Sequence, residues 1–311
     1  MAGGSSRPRV LVIGDVINDI LVETQGPLEE GADNPARIRS RPGGSAANQA
    51  AWMGHLGLDV VFAGRAGAAD AELHRAELAR FGVDARLTAD ESAGTGSVVV
   101  LVGADGERTM ITDRGANLRL AASDVPFGLL DGAALLHLTG HALFEPGPRS
   151  VARGLIAQAR RCGVPFTVDP GSTAFLARLP PTAFLDWTRG AAVCFPNRDE
   201  AEVLSGATQP TMMAAILARY YNVVAMKLGA EGALVTRPGE AAEHIAVRPA
   251  VVRDTTGAGD AFCAGFLAAW LGGDGLTAAA RAGADAAAIA VSGLGGRPPV
   301  LATRVPRSVP A

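Results

Sequence analysis

The chain has 311 residues, of which 48% are hydrophobic and 19% are charged, and its formal net charge is −3 at pH 7. This composition is typical of a globular protein and excludes long disordered, collagen-like or coiled-coil segments. Since basic residues are not in excess, binding to nucleic acid through phosphate neutralisation is not expected. No apolar run approaches the roughly 20 residues that cross a bilayer, so no membrane span is expected either.

Short apolar runs rich in β-branched residues alternate with longer Ala- and Leu-rich stretches up to about residue 227. The short runs predict strands at residues 10–14, 60–64, 135–139, 166–169, 193–197 and 223–227. The longer stretches predict helices at residues 44–57, 70–81, 148–162, 198–206 and 211–221. This alternation indicates a doubly wound α/β core, in which helices cover both faces of a mostly parallel sheet.

Residues 20–41 and 95–113 break the alternation, because both segments have the pattern of an antiparallel ribbon. In the second segment, the sequence GADGE is predicted to form the turn between two β-rich arms. We expect these segments to form a lid beside the parallel core. After residue 247, a loop leads to two Ala- and Gly-rich helices that are predicted at about 257–271 and 277–292.

The three cysteines Cys162, Cys194 and Cys263 are odd in number and lack C-x-x-C spacing. We therefore expect free thiols in apolar surroundings, which favours a reducing, cytoplasmic location. The apolar run before Gly14 is too short for the core of a signal peptide. The five histidines show no spacing typical of metal ligands.

The sequence DTTGAGDAF at residues 254–262 gives the strongest functional signal. The small residues Gly257, Ala258 and Gly259 allow a tight turn whose N–H groups point outward at the N-terminus of an apolar helix. Such a turn can bind a phosphoryl group in transfer, and Asp260 beside it can accept a proton from an attacking hydroxyl. The alternative is a glycine-rich loop with an acidic helix start, but the number of determined positions favours the catalytic interpretation.

DTTGAGDAF resembles the C-terminal signature of the ribokinase-like (PfkB) carbohydrate kinases, and the sequence GGSAANQA at residues 43–50 resembles a second pattern of that family. The resemblance spans nearly the whole chain. It implies one ribokinase-like domain over residues 1–311, a three-layer αβα core, and a small β-sheet lid formed by the two ribbon segments. It also implies ATP-dependent phosphorylation of a hydroxyl on a sugar or nucleoside, and a homodimer formed through the lid.

The family resemblance assigns Asp260 as the catalytic base and the N–H groups of Gly257, Ala258 and Gly259 as the anion hole. In this assignment, the carboxylate removes a proton from the acceptor while the main-chain N–H groups bind the transferred phosphate. Both roles agree with the chemistry that the residues suggest on their own.

The acceptor site implied by the resemblance contains Asp19, Gly43, Gly44 and Asn48. Asp19 would accept hydrogen bonds from substrate hydroxyls, the glycines permit close approach, and Asn48 offers both a donor and an acceptor to a polyol. Without the resemblance, Asp19 is equally consistent with a turn after the first strand, and Asn48 with a polar residue on an apolar helix.

Arg114 lies in the sequence RTMITDRGAN, which resembles the family's return from the lid to the core. It either binds an anionic substrate group, such as the carboxylate of a keto acid, or pairs with Asp113 or Asp19. His141 follows a predicted strand whose end faces the expected substrate cleft.

Asn197 and Glu200 match the family's N-x-x-E element, which implies that they hold Mg²⁺ through water. Their spacing also fits a helix capping box, and the two interpretations are compatible. Lys227, Gly229 and Gly232 match the strand end and G-x-x-G loop that bind the nucleotide. Lys227, which is the only lysine of the chain, either meets a phosphate of the nucleotide or lies on the surface.

Asp254 and Thr256, with nearby backbone carbonyls, match the positions at which family members coordinate a monovalent cation. The resemblance therefore implies K⁺ as an activator. The chain departs from the family at Pro299, where some members have a serine. The small apolar residues of 282–292 would flank the adenine, or would serve only in helix packing.

The sequence favours a sugar kinase over three other function classes. A nucleoside kinase usually stacks the base on lid aromatics, and residues 20–41 and 95–113 contain none, which favours a sugar acceptor. A non-catalytic binding protein has no need for a positioned base such as Asp260. A nicotinamide oxidoreductase is disfavoured because the first strand lacks the G-x-G-x-x-G pattern.

Overall fold

The computed structural model describes residues 7–102, 108–180 and 182–299, so the predicted GADGE turn at 103–107 lies outside the described residues. The described strands are, in chain order, β1 (Arg9–Ile13), β2 (Ile17–Thr24), β3 (Ala36–Gly43), β4 (Asp59–Gly67), β5 (Val83–Asp90), β6 (Gly96–Val102), β7 (Arg108–Asp113), β8 (Leu135–Thr139), β9 (Phe166–Asp169), β10 (Val193–Cys194), β11 (Val224–Lys227), β12 (Ala233–Thr236) and β13 (Glu243–Ile245). The described α-helices are α1 (Ser45–His55), α2 (Ala68–Ala79), α3 (His141–Phe144), α4 (Pro146–Arg161), α5 (Thr173–Leu176), α6 (Ala183–Thr188), α7 (Arg198–Ser205), α8 (Pro210–Leu217), α9 (Ala258–Leu271) and α10 (Leu276–Val291).

The larger sheet has the strand order β13-β12-β11-β10-β9-β8-β1-β4-β5 in the described part of the chain. Neighbouring strands pair in parallel from β11 to β5, whereas β12 runs antiparallel to both of its neighbours, β11 and the edge strand β13. Alternate residues of β1 enter two separate cores: Val10 and Val12 belong to the core that contains residues of α1, α9 and α10, whereas Leu11 and Ile13 belong to the core that contains residues of α4, α7 and α8. Helices therefore cover both faces, which confirms the predicted α/β core.

The smaller sheet, called the lid sheet below, has the order β3-β2-β6-β7. Strands β2 and β3 are antiparallel, as are β6 and β7, so both ribbons predicted from the sequence are confirmed. A parallel pairing of β2 with β6 joins the two ribbons. Because β2 begins four residues after β1 ends, the lid sheet lies beside the carboxyl ends of the parallel strands.

The structure adds elements that the sequence did not predict, namely β5, β12 and β13 and the short helices α3, α5 and α6. The predicted strand 193–197 is shorter, with β10 limited to Val193–Cys194, because Pro196 has no N–H for a ladder hydrogen bond. No helix in the described residues is long and apolar enough to span a membrane.

Candidate active site

A cavity of about 880 Å³ lies between the lid sheet and the carboxyl ends of the parallel strands, where open α/β sheets bind their ligands. Strands β2, β6 and β7 form its roof, and the loops after β1, β8 and β9 form part of its floor. The cavity brings together predicted site residues from distant parts of the chain: Asp19, Gly44, Asn48, Arg114, Gly257 and Asp260.

Asp260 lies in the first turn of α9 and faces α1. Its carboxylate accepts hydrogen bonds from Ser45 Oγ at 2.6 Å, from Gln49 Nε2 at 2.9 Å and from Asn48 Nδ2 at 3.1 Å. Burial raises the pKa of Asp260 to about 6, and these hydrogen bonds oppose that rise. The side chain is thus held in one orientation and has a pKa close to neutral, which suits a general base.

The turn before α9 depends on Gly257, which has a positive φ of 76°. A Cβ atom there would lie 2.4 Å from Gly296 Cα, so the turn requires glycine. Among the described residues, the N–H groups of Gly257 and Gly259 have no backbone acceptor, whereas the Ala258 N–H donates to the Thr255 carbonyl oxygen at 3.3 Å. The Ala258 N–H is therefore already used and does not fit the expected anion hole. The N–H groups of Gly257 and Gly259, the other two predicted donors, are available.

Asp19 projects from β2 towards the start of α1. A Cβ atom on Gly43 would lie 2.0 Å from Asp19 Oδ2, so glycine at this position makes room for the carboxylate. Gly44, with φ of 95°, then caps α1 in a conformation that other residues rarely adopt. Burial, and next the charge of Asp15, raise the pKa of Asp19 to about 6. A carboxyl group of this kind can accept from, or donate to, an acceptor hydroxyl.

Asn48 lines the cavity and hydrogen-bonds to Asp260. Its Nδ2 donates to Asp260, while its Oδ1 is buried and has no partner within the described residues. An acceptor hydroxyl is a suitable donor to this oxygen, because a buried acceptor that stays unpaired costs free energy. The polyol role predicted for Asn48 is consistent with this geometry.

A buried polar network behind Asp260 was not predicted. Gln49 Nε2 donates to Asp260 and also to Asp169 Oδ2 at 3.1 Å, and its Oε1 accepts from His137 Nε2. Burial lowers the pKa of His137 to about 4, so its ring is neutral, and its Nδ1 accepts from the hydroxyl of Thr167. Gln49 therefore acts as a positioning residue for Asp260. The only sequence signal was the placement of residues 45, 48 and 49 on one face of α1.

The pKa of Asp260 predicts an acidic limb in the pH profile. We expect kcat/KM for the acceptor to rise with pH around a midpoint near 6, because only the ionised carboxylate can take a proton. Below the midpoint the rate falls about tenfold per pH unit. Initial rates of ADP release, measured between about pH 4.5 and 8.5, check this. A profile that is flat below the midpoint contradicts the base assignment, and Asp19→Asn should retain the limb.

Gln49→Met tests the positioning role with the same measurement. Loss of the hydrogen bond from Gln49 removes an interaction that lowers the pKa of Asp260, so the midpoint should move up by about one pH unit. The exposed Gln209→Met is the matched control and should leave the profile unchanged. A Gln49 variant that loses activity equally at every pH would indicate a purely structural role.

Lys227 lies partly buried at the end of β11, and the alternative of a surface lysine is wrong. Its Nζ donates to Asp169 Oδ2 at 2.8 Å, and its side chain is 14% exposed. A Cβ atom built on Gly259 would lie 3.4 Å from Nζ, which places the ammonium beside the first turn of α9. Burial lowers the pKa of Lys227, but the Asp169 carboxylate raises it by a larger amount, so the ammonium group stays positively charged.

Asn197 and Glu200 form a complete capping box at the start of α7. Asn197 Oδ1 accepts from the Glu200 N–H at 2.8 Å, and Glu200 Oε2 accepts from the Asn197 N–H at 2.9 Å. Asn197 also pairs with Lys227 through the backbone, and the charge of Lys227 acts on Glu200. Burial raises the pKa of Glu200 to about 7, against the attraction of Lys227. A cation bound nearby would favour the ionised carboxylate.

The G-x-x-G loop after β11 forms a tight turn. Gly229 and Gly232 have positive φ values of 59° and 93°. The Leu228 N–H donates to the Gly232 carbonyl oxygen at 2.8 Å, and a Cβ atom on Gly232 would lie 2.0 Å from the Ile245 carbonyl oxygen. This turn lets the chain pass directly from β11 into the antiparallel β12.

Asp254 joins two loops next to the start of α9. Its Oδ1 accepts from the Thr256 N–H at 3.0 Å and from Thr256 Oγ1 at 2.7 Å, and its Oδ2 accepts from the Gly295 N–H at 2.9 Å. The carboxylate therefore fixes the loop before the catalytic turn against the loop after α10. Its oxygens are of the hard type that alkali cations prefer.

Arg114 lines the cavity and does not pair with either predicted acid. Its Nη2 donates to the His141 carbonyl oxygen at 3.0 Å, while Asp113 Oδ1 accepts instead from the Gly115 N–H. The described residues include no ion pair between Arg114 and Asp113 or Asp19. The alternative of an acidic partner for Arg114 is therefore wrong.

The comparisons with known proteins cover nearly the whole chain. Residues 7–303 match the profile described as pfkB family carbohydrate kinase. An ATP-dependent ribose-1-phosphate kinase of Halopiger xanaduensis is 32% identical over 277 residues, or 85% of each protein. The solved structure of an adenosine kinase from Sinorhizobium meliloti has a TM-score of 0.84 at 26% identity and covers 94% of this chain and 96% of that one. A ribokinase of Arabidopsis thaliana complexed with ribose and ATP has a TM-score of 0.80 at 28% identity, covering 95% and 96%.

Proposed function

Because the chain belongs to the pfkB family of carbohydrate kinases and is thus a phosphotransferase with a hydroxyl acceptor, we propose that it transfers the γ-phosphate of ATP to a small sugar or sugar-derived substrate. The observation that carries this proposal is the position of Asp260. Its carboxylate faces the same cavity as Asp19 and Asn48 and lies next to the open N–H groups at the start of α9.

In the proposed reaction, the acceptor hydroxyl lies between Asp19, Asn48 and Asp260. Its oxygen forms a bond to the γ-phosphorus as the bond to the β-phosphate oxygen breaks and ADP leaves. The hydroxyl proton passes to Asp260, and the N–H groups of Gly257 and Gly259 bind the phosphoryl oxygens. Positioning and electrostatic stabilisation supply most of the rate increase in such transfers.

The nucleotide is proposed to lie along the half of the molecule that contains Lys227, Gly229 and Gly232. Lys227 supplies a positive charge beside Gly259, close to where the transferred phosphate would bind. The small apolar residues of 282–292 in α10 are proposed to flank the adenine. The similar Arabidopsis ribokinase forms a complex with ribose and ATP, which supports ATP as the donor here.

We also propose Mg²⁺ as the cofactor, held through water by Asn197 and Glu200. Their carboxylate and amide oxygens are of the type that Mg²⁺ prefers, and Mg²⁺ keeps several waters when it binds. Bound there, the ion would offset negative charge on the phosphates. Asp254 and Thr256 are proposed to form a K⁺ site, because their oxygens fix the loop that leads into the catalytic turn.

The class of acceptor has two candidates. Relatives are named for ribose 1-phosphate and ribose, while a structural neighbour is an adenosine kinase. We favour a sugar, because the lid segments 20–41 and 95–113 provide no aromatic side chain on which a base could stack. A non-catalytic ligand-binding role is disfavoured by the intact base and its hydrogen-bonded support.

The lid sheet is also proposed to pair with the lid of a second copy of the chain. The face turned away from the cavity carries Ile38 and Ile111, which are 68% and 57% exposed. Apolar side chains exposed together on one sheet favour an interface. The cytoplasmic location and the lack of a nucleic-acid partner stay predictions from the sequence.

An acceptor screen tests the proposed function. The purified protein, with ATP and Mg²⁺, is assayed for ADP release with ribose, fructose, their phosphates, sugar acids and adenosine. We expect one sugar or sugar derivative to raise ADP release at least tenfold above the rate without acceptor. Stimulation by adenosine alone would favour the nucleoside kinase, and ATP binding without stimulation by any compound would favour a non-catalytic protein.

A further inference from the structure

The cavity wall contains an arginine whose hydrogen-bonding groups are only partly used. Arg114 is 8% exposed, and its Nη2 donates to the His141 carbonyl oxygen. Its Nε and Nη1 are buried and have no acceptor within the described residues. Burying such donors without a partner is unfavourable, and more so because the group is charged. Because these unpaired donors belong to a residue in the wall of a ligand cavity, we expect the ligand to supply the acceptor for them.

Arg114 and a second arginine, Arg178, both lie against the aromatic ring of Phe175. The guanidinium carbons of Arg114 and Arg178 are 6.0 Å and 5.4 Å from the centre of the Phe175 ring. Phe175 is held in place by stacking on Phe144 at 5.1 Å and by an edge contact with His141 at 6.0 Å. All three residues line the cavity. We call Arg114 and Arg178 the arginine pair, and Phe175 provides the ring between them.

The arginine pair forms no ion pair with an acidic side chain. Neither arginine has an acid within ion-pair distance in the described part of the chain. Asp15 is close enough for Arg114 to lower its pKa, so its carboxylate, which accepts from the Ala46 N–H at 3.3 Å and the Thr139 hydroxyl at 3.4 Å, offsets part of the charge of Arg114. The cavity thus has two arginines without an ion pair beside the ring, while the acids Asp19 and Asp260 line it elsewhere, together with Arg297.

Such a cavity suits an acceptor with hydroxyls at one end and a negative charge at the other. Guanidinium groups bind phosphate and carboxylate oxygens through charge-assisted hydrogen bonds. We propose that the acceptor is a sugar bearing an anionic group, either a phosphate monoester or a carboxylate, and that Arg114 and Arg178 bind this group. This inference rests on the proposed kinase function and narrows its substrate class.

The test compares neutral sugars with their anionic derivatives. The pairs are ribose with ribose 1-phosphate, fructose with fructose 6-phosphate, and glucose with gluconate, and 2-keto-3-deoxygluconate adds a second acid. We expect one anionic compound to have a kcat/KM at least about 100-fold above that of its neutral partner, which is the effect of one or two charge-assisted hydrogen bonds. Comparison of the sugar phosphates with the sugar acids then shows whether the anionic group is a phosphate or a carboxylate.

Arg114→Gln should lower kcat/KM for the preferred anionic acceptor about 100-fold, mainly by raising KM, and should change kcat/KM for the neutral partner less than about twofold. Arg178 is exposed, so Arg178→Gln should have a smaller effect in the same direction. Arg219→Gln, which replaces an exposed arginine elsewhere on the surface, is the matched control. Thermal unfolding of each variant verifies that it is folded, and Arg114→Lys should restore part of the affinity.

Inorganic phosphate gives a test on the unaltered protein. It should inhibit competitively against the anionic acceptor and more weakly against a neutral sugar. A neutral sugar preferred over every anionic compound, or an equal loss for both classes in Arg114→Gln, would overturn the inference and leave the kinase function intact. No ADP release with any acceptor would instead contradict the proposed function itself.

Discussion

Asp260→Asn is expected to lower kcat by about 10³-fold, because it removes the group that accepts the hydroxyl proton, and general base catalysis contributes about 10²–10⁴-fold. ATP binding should change little, since the asparagine keeps the shape of the side chain. Burial raises the pKa of Asp260 from 3.8 to about 6, so its ionised form opposes folding. The stability of the wild type therefore falls as the pH rises through about 6, and at higher pH the variant should be at least as stable.

The measurement is steady-state ADP release, together with nucleotide binding and thermal unfolding at about pH 8. Asp274→Asn, an exposed acid just after the same helix, is the control and should retain full activity. If Asp260→Asn keeps more than about a tenth of the wild-type kcat, Asp260 is not the base. A variant that unfolds at lower temperature would show instead that the carboxylate has a structural role.

Lys227→Met is expected to have the largest effect on stability. It leaves the Asp169 carboxylate, which is 3% exposed, without its ion-pair partner at 2.8 Å. Removing one partner of a buried ion pair costs about 3–5 kcal/mol, because the other charge stays desolvated. Urea unfolding measures this loss as a lower transition midpoint. Since the ammonium also lies beside Gly259, we expect KM for ATP to rise.

The double variant Lys227→Met with Asp169→Asn serves as the control. Replacing both charges removes the unpaired carboxylate, so the double variant should recover most of the stability that the single variant loses. KM for ATP should stay high in both, because neither has the ammonium. Additive losses in the double variant would contradict the ion pair, and an unchanged KM would exclude a role of Lys227 in nucleotide binding.

The core strands were predictable because their signal is local. In β1 and β8 nearly every residue is buried, and such continuous apolar runs are typical of a parallel sheet with both faces covered. Strand β5 was missed because it is an edge strand in which exposed and buried residues do not alternate strictly. Strands β12 and β13 are only four and three residues long, which is too short for a periodic pattern.

The site was predictable in its motifs but not in its interactions. The turn at 257–259 and the base Asp260 follow from residue types that phosphoryl transfer requires. The contacts of Asp260 with Ser45 and Gln49 join positions more than two hundred residues apart, and no local pattern encodes them. The unpartnered nitrogens of Arg114 depend likewise on how the lid sheet meets the loops after β8 and β9. Tertiary structure alone sets such geometry.

A ³¹P NMR spectrum of the products tests whether the protein transfers phosphate to a hydroxyl with Asp260 as the base. The wild-type protein is incubated with ATP, Mg²⁺ and the acceptor selected by the screen, and ADP is quantified in parallel. If this transfer takes place, a new phosphomonoester resonance appears that couples to a carbinol proton and equals the ADP in amount, and Asp260→Asn gives neither signal in the same time. Inorganic phosphate as the only new resonance, or a phosphomonoester that Asp260→Asn still forms at the wild-type rate, would contradict it.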